Sequence, residues 1–338
     1  MKKRILVIIG IVLLCFTGYV VTSCAGLSNK EKQGEVCDSC NDSLVAQRLL
    51  ANPRLALQTI DSLEAAGMGI PQRLYGYRAL AYNQLGDIQN LIKWSRKALQ
   101  GNVLLENDDE MFYQVSDKLF TVLVNQGETE SALAVVQRGY DAAKENTETR
   151  GLHWAAIMLH GIGYCEMQMG HIDEAERCFS QSYIGLKQMA SSDSSLFNLR
   201  TCARVAYNIV DAYNSTEQYD KAAAWIESAE DALEKMAASS ECSQALKNDF
   251  MGGLAIQKAI VLLQEGRRAE ADASYATAMQ LDYANSSYGI VESAVYLERA
   301  NRMAELMALM PRIDSLSNAW GNPASLAHWE KYQKKETL

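Results

Sequence analysis

The sequence predicts an all-α protein built from six to seven stacked helix–turn–helix units closed by a capping helix. Three observations carry this. A glycine recurs inside otherwise helix-friendly stretches, as Gly170 does in YCEMQMGHIDEAERCF, where it would cost roughly 1 kcal/mol in a helix interior and is better placed in a stop between two helices. Small and aromatic residues recur at the same offsets on both sides of each such stop. No segment of useful length alternates with the two-residue period of a strand.

Taken from the amino terminus, Lys2, Lys3 and Arg4 precede an apolar run from Ile5 to Val21, and Val21-Thr22-Ser23-Cys24 follows. This resembles a bacterial lipoprotein signal with its lipobox, which implies cleavage after residue 23 and a lipid on Cys24. The alternative is an uncleaved membrane anchor, for which the run is at the short limit. Either places the rest of the chain outside the cytoplasm, in the bacterial cell envelope: the periplasm or the outer-membrane surface.

Residues 24–42 read as a polar tether carrying Cys37-Asp38-Ser39-Cys40. In an oxidising compartment Cys37 and Cys40 could close a small local disulfide, and a CxxC can also be a redox centre. A thioredoxin-like centre follows a strand, however, and AGLSNKEKQGEV before it has no strand pattern. A zinc site would need two more ligands, and none is nearby. Cys165, Cys178, Cys202 and Cys242 sit in helical patterns as small apolar groups or occasional bridges.

Residues 43–335 show no composition break and read as one helical domain. It opens with a helical pair broken at Asn52-Pro53, proline being acceptable at a helix start. The Gly170 frame places Leu159, Gly163 and Glu166 upstream and Ile172, Ala175, Phe179 and Ser182 downstream; at Gly86 it selects Tyr75, Ala79 and Tyr82, then Ile88, Leu91 and Ala98. At Gly127 it selects Phe120, Leu123, Ala132 and Val136, and at Gly266 it selects Ala259, Leu262, Ala271, Tyr275 and Ala278. Two copies lack the glycine: Glu217, flanked by Tyr213, Tyr219, Ala222 and Ala229, and Asn301, flanked by Ala294, Leu297 and Leu306. NPASLAHWEKYQKKETL then suggests a terminal helix covering the last unit.

On these residues the chain resembles the tetratricopeptide repeat family. The turns are 41, 43, 47, 49 and 35 residues apart, against a family norm of about 34, so most units need extended helices and longer connections such as GNVLLENDDE, ASSDSS and AASSEC. The proline that commonly ends a unit is missing from most copies. Tyr75, Ser116, Leu159, Ala206 and Ala255 fill the tryptophan position.

The resemblance implies a curved trough walled by the first helix of each unit, and through it a protein or peptide partner. Carried across position by position, that wall presents Arg73, Asn83, Gln114, Asp117, His160, Tyr164, Arg204, Tyr207, Asp211, Asn214, Tyr288 and Glu298. Rings mixed with Arg, Asp and Asn suit an extended peptide. The signal followed by long degenerate units and HWEKYQKK also resembles the extracytoplasmic sensor regions of bacterial two-component histidine kinases, here without a kinase module. A glycan-binding outer-membrane lipoprotein and a thiol-redox protein are the competing readings.

Nothing in the sequence points to an enzyme, a metal or a cofactor. His153 and His160 are seven apart, not the four of a zincin, and no GxxxxGK[ST], GxSxG or dinucleotide fingerprint occurs. Carboxylates such as Glu106, Asp108, Asp109 and Glu110 suit the positive end of a helix. The formal charge is −9, and −12 once the three basic residues of 1–23 are set aside, which argues against nucleic acid.

Overall fold

The computed structural model describes residues 38–146, 148–320 and 323–333. The signal segment, Cys24 and Cys37 lie outside them. Among the described residues every regular element is helical, and none is long and apolar enough to cross a membrane. The described residues divide into two compact units, the chain passing from one to the other between Val122 and Leu123, inside a helix whose composition does not change there.

The N-terminal unit holds α1 (Asp38–Ala51), α2 (Pro53–Ala65), α3 (Pro71–Leu85), α4 (Ile88–Ala98), the short α5 (Val103–Asn107) and the start of α6 (Asp109–Asn125). The break at Asn52-Pro53 is as the sequence predicts: Asn52 accepts the Arg54 N–H with its side chain, and Pro53 opens α2. The C-terminal unit takes the end of α6, then α7 (Thr129–Ala143), α8 (Thr149–Met169), α9 (Ile172–Ser192), α10 (Leu196–Ser215), α11 (Tyr219–Ala238), α12 (Gln244–Gln264), α13 (Arg268–Gln280), α14 (Ser287–Arg299) and α15 (Met303–Ala319). A 3-10 turn at Tyr283–Asn285 precedes α14; a second at Ala324–Trp329 runs into α16 (Glu330–Gln333).

All six turn positions found in the sequence adopt the left-handed conformation, the two without glycine included: Gly86, Gly127, Gly170 and Gly266 have φ between 71° and 85°, Glu217 has 62° and Asn301 has 55°. Each closes its helix with the same pair of bonds. At Gly170 the N–H donates to the Met167 carbonyl and the His171 N–H donates to the Glu166 carbonyl, and at Glu217 the acceptors are Asn214 and Tyr213. This is the Schellman arrangement, which satisfies carbonyls a helix end otherwise leaves bare. Gly67 makes a seventh, with φ 66°.

The residues selected by the repeat frame form the core. Leu91, Ala132, Ala175, Phe179, Ala222, Ala271 and Leu306 are buried without measurable exposure. Gly163 lies so near α9 that a Cβ there would come within 2.8 Å of the Phe179 ring, the close approach its position predicts. The long repeats arise mostly in the helices, since α8 to α12 run 20 or 21 residues each. The connections are accordingly shorter than expected; of ASSDSS, only 193–195 lie outside a helix. In the C-terminal unit α8 packs on α10, α10 on α12 and α12 on α14.

The terminal cap is not one regular helix. Leu326, Trp329 and Tyr332 are all buried at a three-residue spacing, and a 3-10 turn aligns residues three apart better than an α-helix does.

Candidate functional site

On α10, Tyr207, Asp211 and Asn214 follow at offsets of four and three, which puts them on one helical face. Side chains of α12 and α14 meet that face. The Asn214 amide donates to the Gln257 side-chain oxygen at 2.9 Å and to its carbonyl at 3.0 Å, and the Gln257 amide donates to Asp211 Oδ1 at 3.0 Å. The Tyr207 hydroxyl donates to Glu292 on α14. To reach it, Tyr207 passes over α12 where that helix carries Gly252-Gly253; a Cβ on Gly253 would stand 3.0 Å from the Tyr207 ring. Tyr283, from the 3-10 turn before α14, covers the same glycines, and its hydroxyl approaches Tyr207 and Glu292 without completing a hydrogen bond to either.

The cluster is buried: Glu292 is 1% exposed and Tyr207 2%. Burial pushes the Glu292 carboxyl up to about 8, only partly offset by the hydrogen bond from Tyr207 and by the nearby Gln257 amide and Tyr283 hydroxyl. The same desolvation raises Tyr207, Tyr283 and Tyr164 well above the ordinary phenol range.

The structure brings together four of the predicted trough residues, Tyr164, Tyr207, Asp211 and Asn214; Tyr164 belongs to the group through its electrostatic coupling to Asp211. They lie buried and do not form a solvated face, because consecutive first helices pack on one another. Arg204, on the same helix, is 8% exposed. His160 is buried with its ring 5.7 Å from that of Phe179.

Other predicted positions serve different ends. Arg73 and Asn83 lie in the N-terminal unit, where Arg73 pairs with Asp108 at 3.1 Å and Asn83 offers its carbonyl to the Gly86 turn. Gln114 donates to Glu110, and Lys118 to Asp117. Tyr288 lies against Trp320, ring centroids 5.6 Å apart. Glu298 grips the cap: it accepts from His328 Nε2 at 2.8 Å, Lys331 Nζ at 2.7 Å and the Tyr332 hydroxyl at 2.5 Å, and these partners hold it at about 2 against the opposing effect of burial.

Sequence reasoning missed Glu292, Gln257, Tyr283 and the glycine pair. A double glycine within a helix and a lone acid inside the apolar run from Ile290 to Leu297 were the available signals. Cys165, Cys178, Cys202 and Cys242 are buried free thiols; desolvation drives Cys165 up to about 12 and Cys178 and Cys202 up to about 11. Cys40 falls in the first turn of α1. Among the described residues no group of three or more His, Cys, Asp or Glu side chains could hold a metal ion.

The paired helices, Schellman turns and side-by-side first helices define a tetratricopeptide-like helical repeat fold. Solved structures similar to this chain include a Rap protein complexed with Competence and Sporulation Factor (TM-score 0.58, 13% identity, covering 84% of this chain and 75% of that one) and the apo form of RapI (TM-score 0.57, 12% identity, covering 88% and 99%). At such identity the likeness concerns the fold. No protein-family model and no curated protein matches the sequence.

Proposed function

We propose that this chain is a non-enzymatic scaffold that binds a protein or peptide on the faces of α8, α10, α12 and α14, and that a lipid on Cys24 tethers it in the cell envelope, where it serves a sensory role. The observation that carries the binding reading is the convergence of Tyr207, Asp211, Asn214, Gln257 and Glu292 from three helices of successive units. Buried polar groups concentrated on one face of a repeat array are costly for packing alone and suit recognition. A protein of similar fold is complexed with a named factor, which agrees with a binding role.

The test is photo-cross-linking in the native envelope from position 204, on α10, with position 234, exposed on α11, as control. One species captured from 204 and absent from 234, which then binds the purified chain, is the expected result. Equal capture from both positions would remove the site. Tethering is read separately, from the mass of the mature amino terminus: Cys24 acylated and residues 1–23 absent. Retention of 1–23 would favour the anchor.

A further inference from the structure

The network on α10, α12 and α14 has acceptors without donors. Asn208 Oδ1 and Asn214 Oδ1 are buried and receive no hydrogen bond, and Glu292 Oε2, the oxygen that Tyr207 does not reach, has no partner either, although such groups are nearly always paired in folded proteins. Asn208 stands one turn before Asp211, whose Oδ1 accepts from Gln257. The groups acting on Glu292 are Tyr207 from α10, Gln257 from α12 and Tyr283 from the 3-10 turn, with Asp211 acting on both tyrosines; no lysine, arginine or histidine is among them.

A buried acid without a cation lowers stability, and glutamine would hold the Tyr207 hydroxyl equally well. The floor beneath is Gly252-Gly253, where the Tyr283 and Tyr207 rings occupy the room that side chains would take. We infer that Glu292 is the anchor for a basic side chain of a bound peptide: a lysine or arginine takes the carboxylate from Tyr207, and the carboxylic proton leaves to solvent as the cation arrives. This rests on the peptide-binding reading and names the chemistry of its ligand. The exchange balances, since one positive charge enters and one proton departs. Burial strengthens the resulting ion pair, and the donors of the cation meet the vacant acceptors.

The test pans a phage-displayed random heptapeptide library against the full chain and against Glu292→Gln. The parent should select peptides with a lysine or arginine at one fixed place, and the variant should lose that enrichment. Calorimetry of a selected arginine peptide at pH 6.5, in two buffers of different ionisation enthalpy, should show release of about one proton. Replacing its arginine by citrulline should weaken binding roughly 10- to 100-fold in the parent and leave the variant unchanged. Selected peptides lacking a basic residue, enrichment that survives Glu292→Gln, or binding without proton release would each overturn the inference and leave the binding reading standing. Failure of the parent to select any peptide would overturn both. If Glu292→Gln does not fold by near-ultraviolet circular dichroism, Tyr207→Phe decides: it removes the competing hydroxyl and should tighten arginine-peptide binding several-fold, and unchanged or weaker binding counts against the proposal.

Discussion

Tyr207 on α10 and Glu292 on α14 are hydrogen-bonded across the intervening helix α12, where the tyrosine ring lies close against the bare backbone of Gly253. The contact ties together residues 85 positions apart in the chain. It also sets how stability depends on pH, because the acid end is kept from ionising.

Glu292 is raised to about 8 in the folded chain, against about 4.3 for an unfolded glutamate. Between those values the native state holds a proton that the unfolded state releases, so this group makes stability fall as pH rises from about 4 to about 8. Glu292→Gln should remove that slope and stand above the parent at pH 9 by about 1–3 kcal/mol. Urea unfolding at pH 5, 7 and 9 checks it; parallel profiles for parent and variant would show that the acid is not held neutral.

The glycine pair should resist the most conservative replacement. Alanine gains about 1 kcal/mol over glycine in a helix interior, yet Gly252→Ala drives its Cβ into the Tyr283 side chain and Gly253→Ala presses on the Tyr207 ring. We expect a net loss of about 1–3 kcal/mol for Gly252→Ala and less for Gly253→Ala, where an aromatic ring can give way. Thermal unfolding of both variants is the measurement, and a gain at either site would contradict the close contact.

The turns invite the opposite change. Left-handed geometry disfavours a side chain by roughly 1–2 kcal/mol, so Glu217→Gly should stabilise by about 0.5–1 kcal/mol after the added freedom of the unfolded chain is allowed for. Asn301→Gly should do less, as asparagine tolerates this conformation. Gly86→Ala and Gly170→Ala should each lose about 1 kcal/mol for backbone reasons alone, since a Cβ at either meets no atom within 4 Å. Equal effects at 217 and 301 would argue against this ordering.

Glu298 tests the cap. Its folded value near 2 lies below that of the unfolded acid, so its contribution is present above about pH 4.3 and fades as the pH falls toward 2. Glu298→Ala should release the segment carrying His328, Lys331 and Tyr332 at neutral pH at a cost of about 1–3 kcal/mol. Hydrogen exchange should report faster amides in 326–333 and unchanged protection in α8 to α12. Unaltered exchange in 326–333 would mean that Trp329 alone holds the segment.

Much of the fold could be read from the chain because a left-handed turn demands a particular residue, so repetition leaves a visible trace at Gly86, Gly127, Gly170 and Gly266. Glu217 and Asn301 were recognisable only through the small residues in phase around them. Gly67, α5 and the turn at Tyr283–Asn285 escaped, being too short to show a period. The stripe Tyr207, Asp211 and Asn214 is a local property of one helix and was legible. Its partners were not: Gln257 and Glu292 meet it only after whole hairpins have stacked, and nothing near either residue records that encounter. The division between Val122 and Leu123 likewise leaves no mark, since it falls within a continuous helical pattern.

The four enclosed thiols bear on the order of events in the life of the chain. Hidden in the packed interior as poor nucleophiles, they meet an oxidant only before the hairpins assemble or after they come apart. Mispaired bridges formed at either moment would bar the return to the native state, so for this molecule swift assembly is itself a defence against oxidative damage.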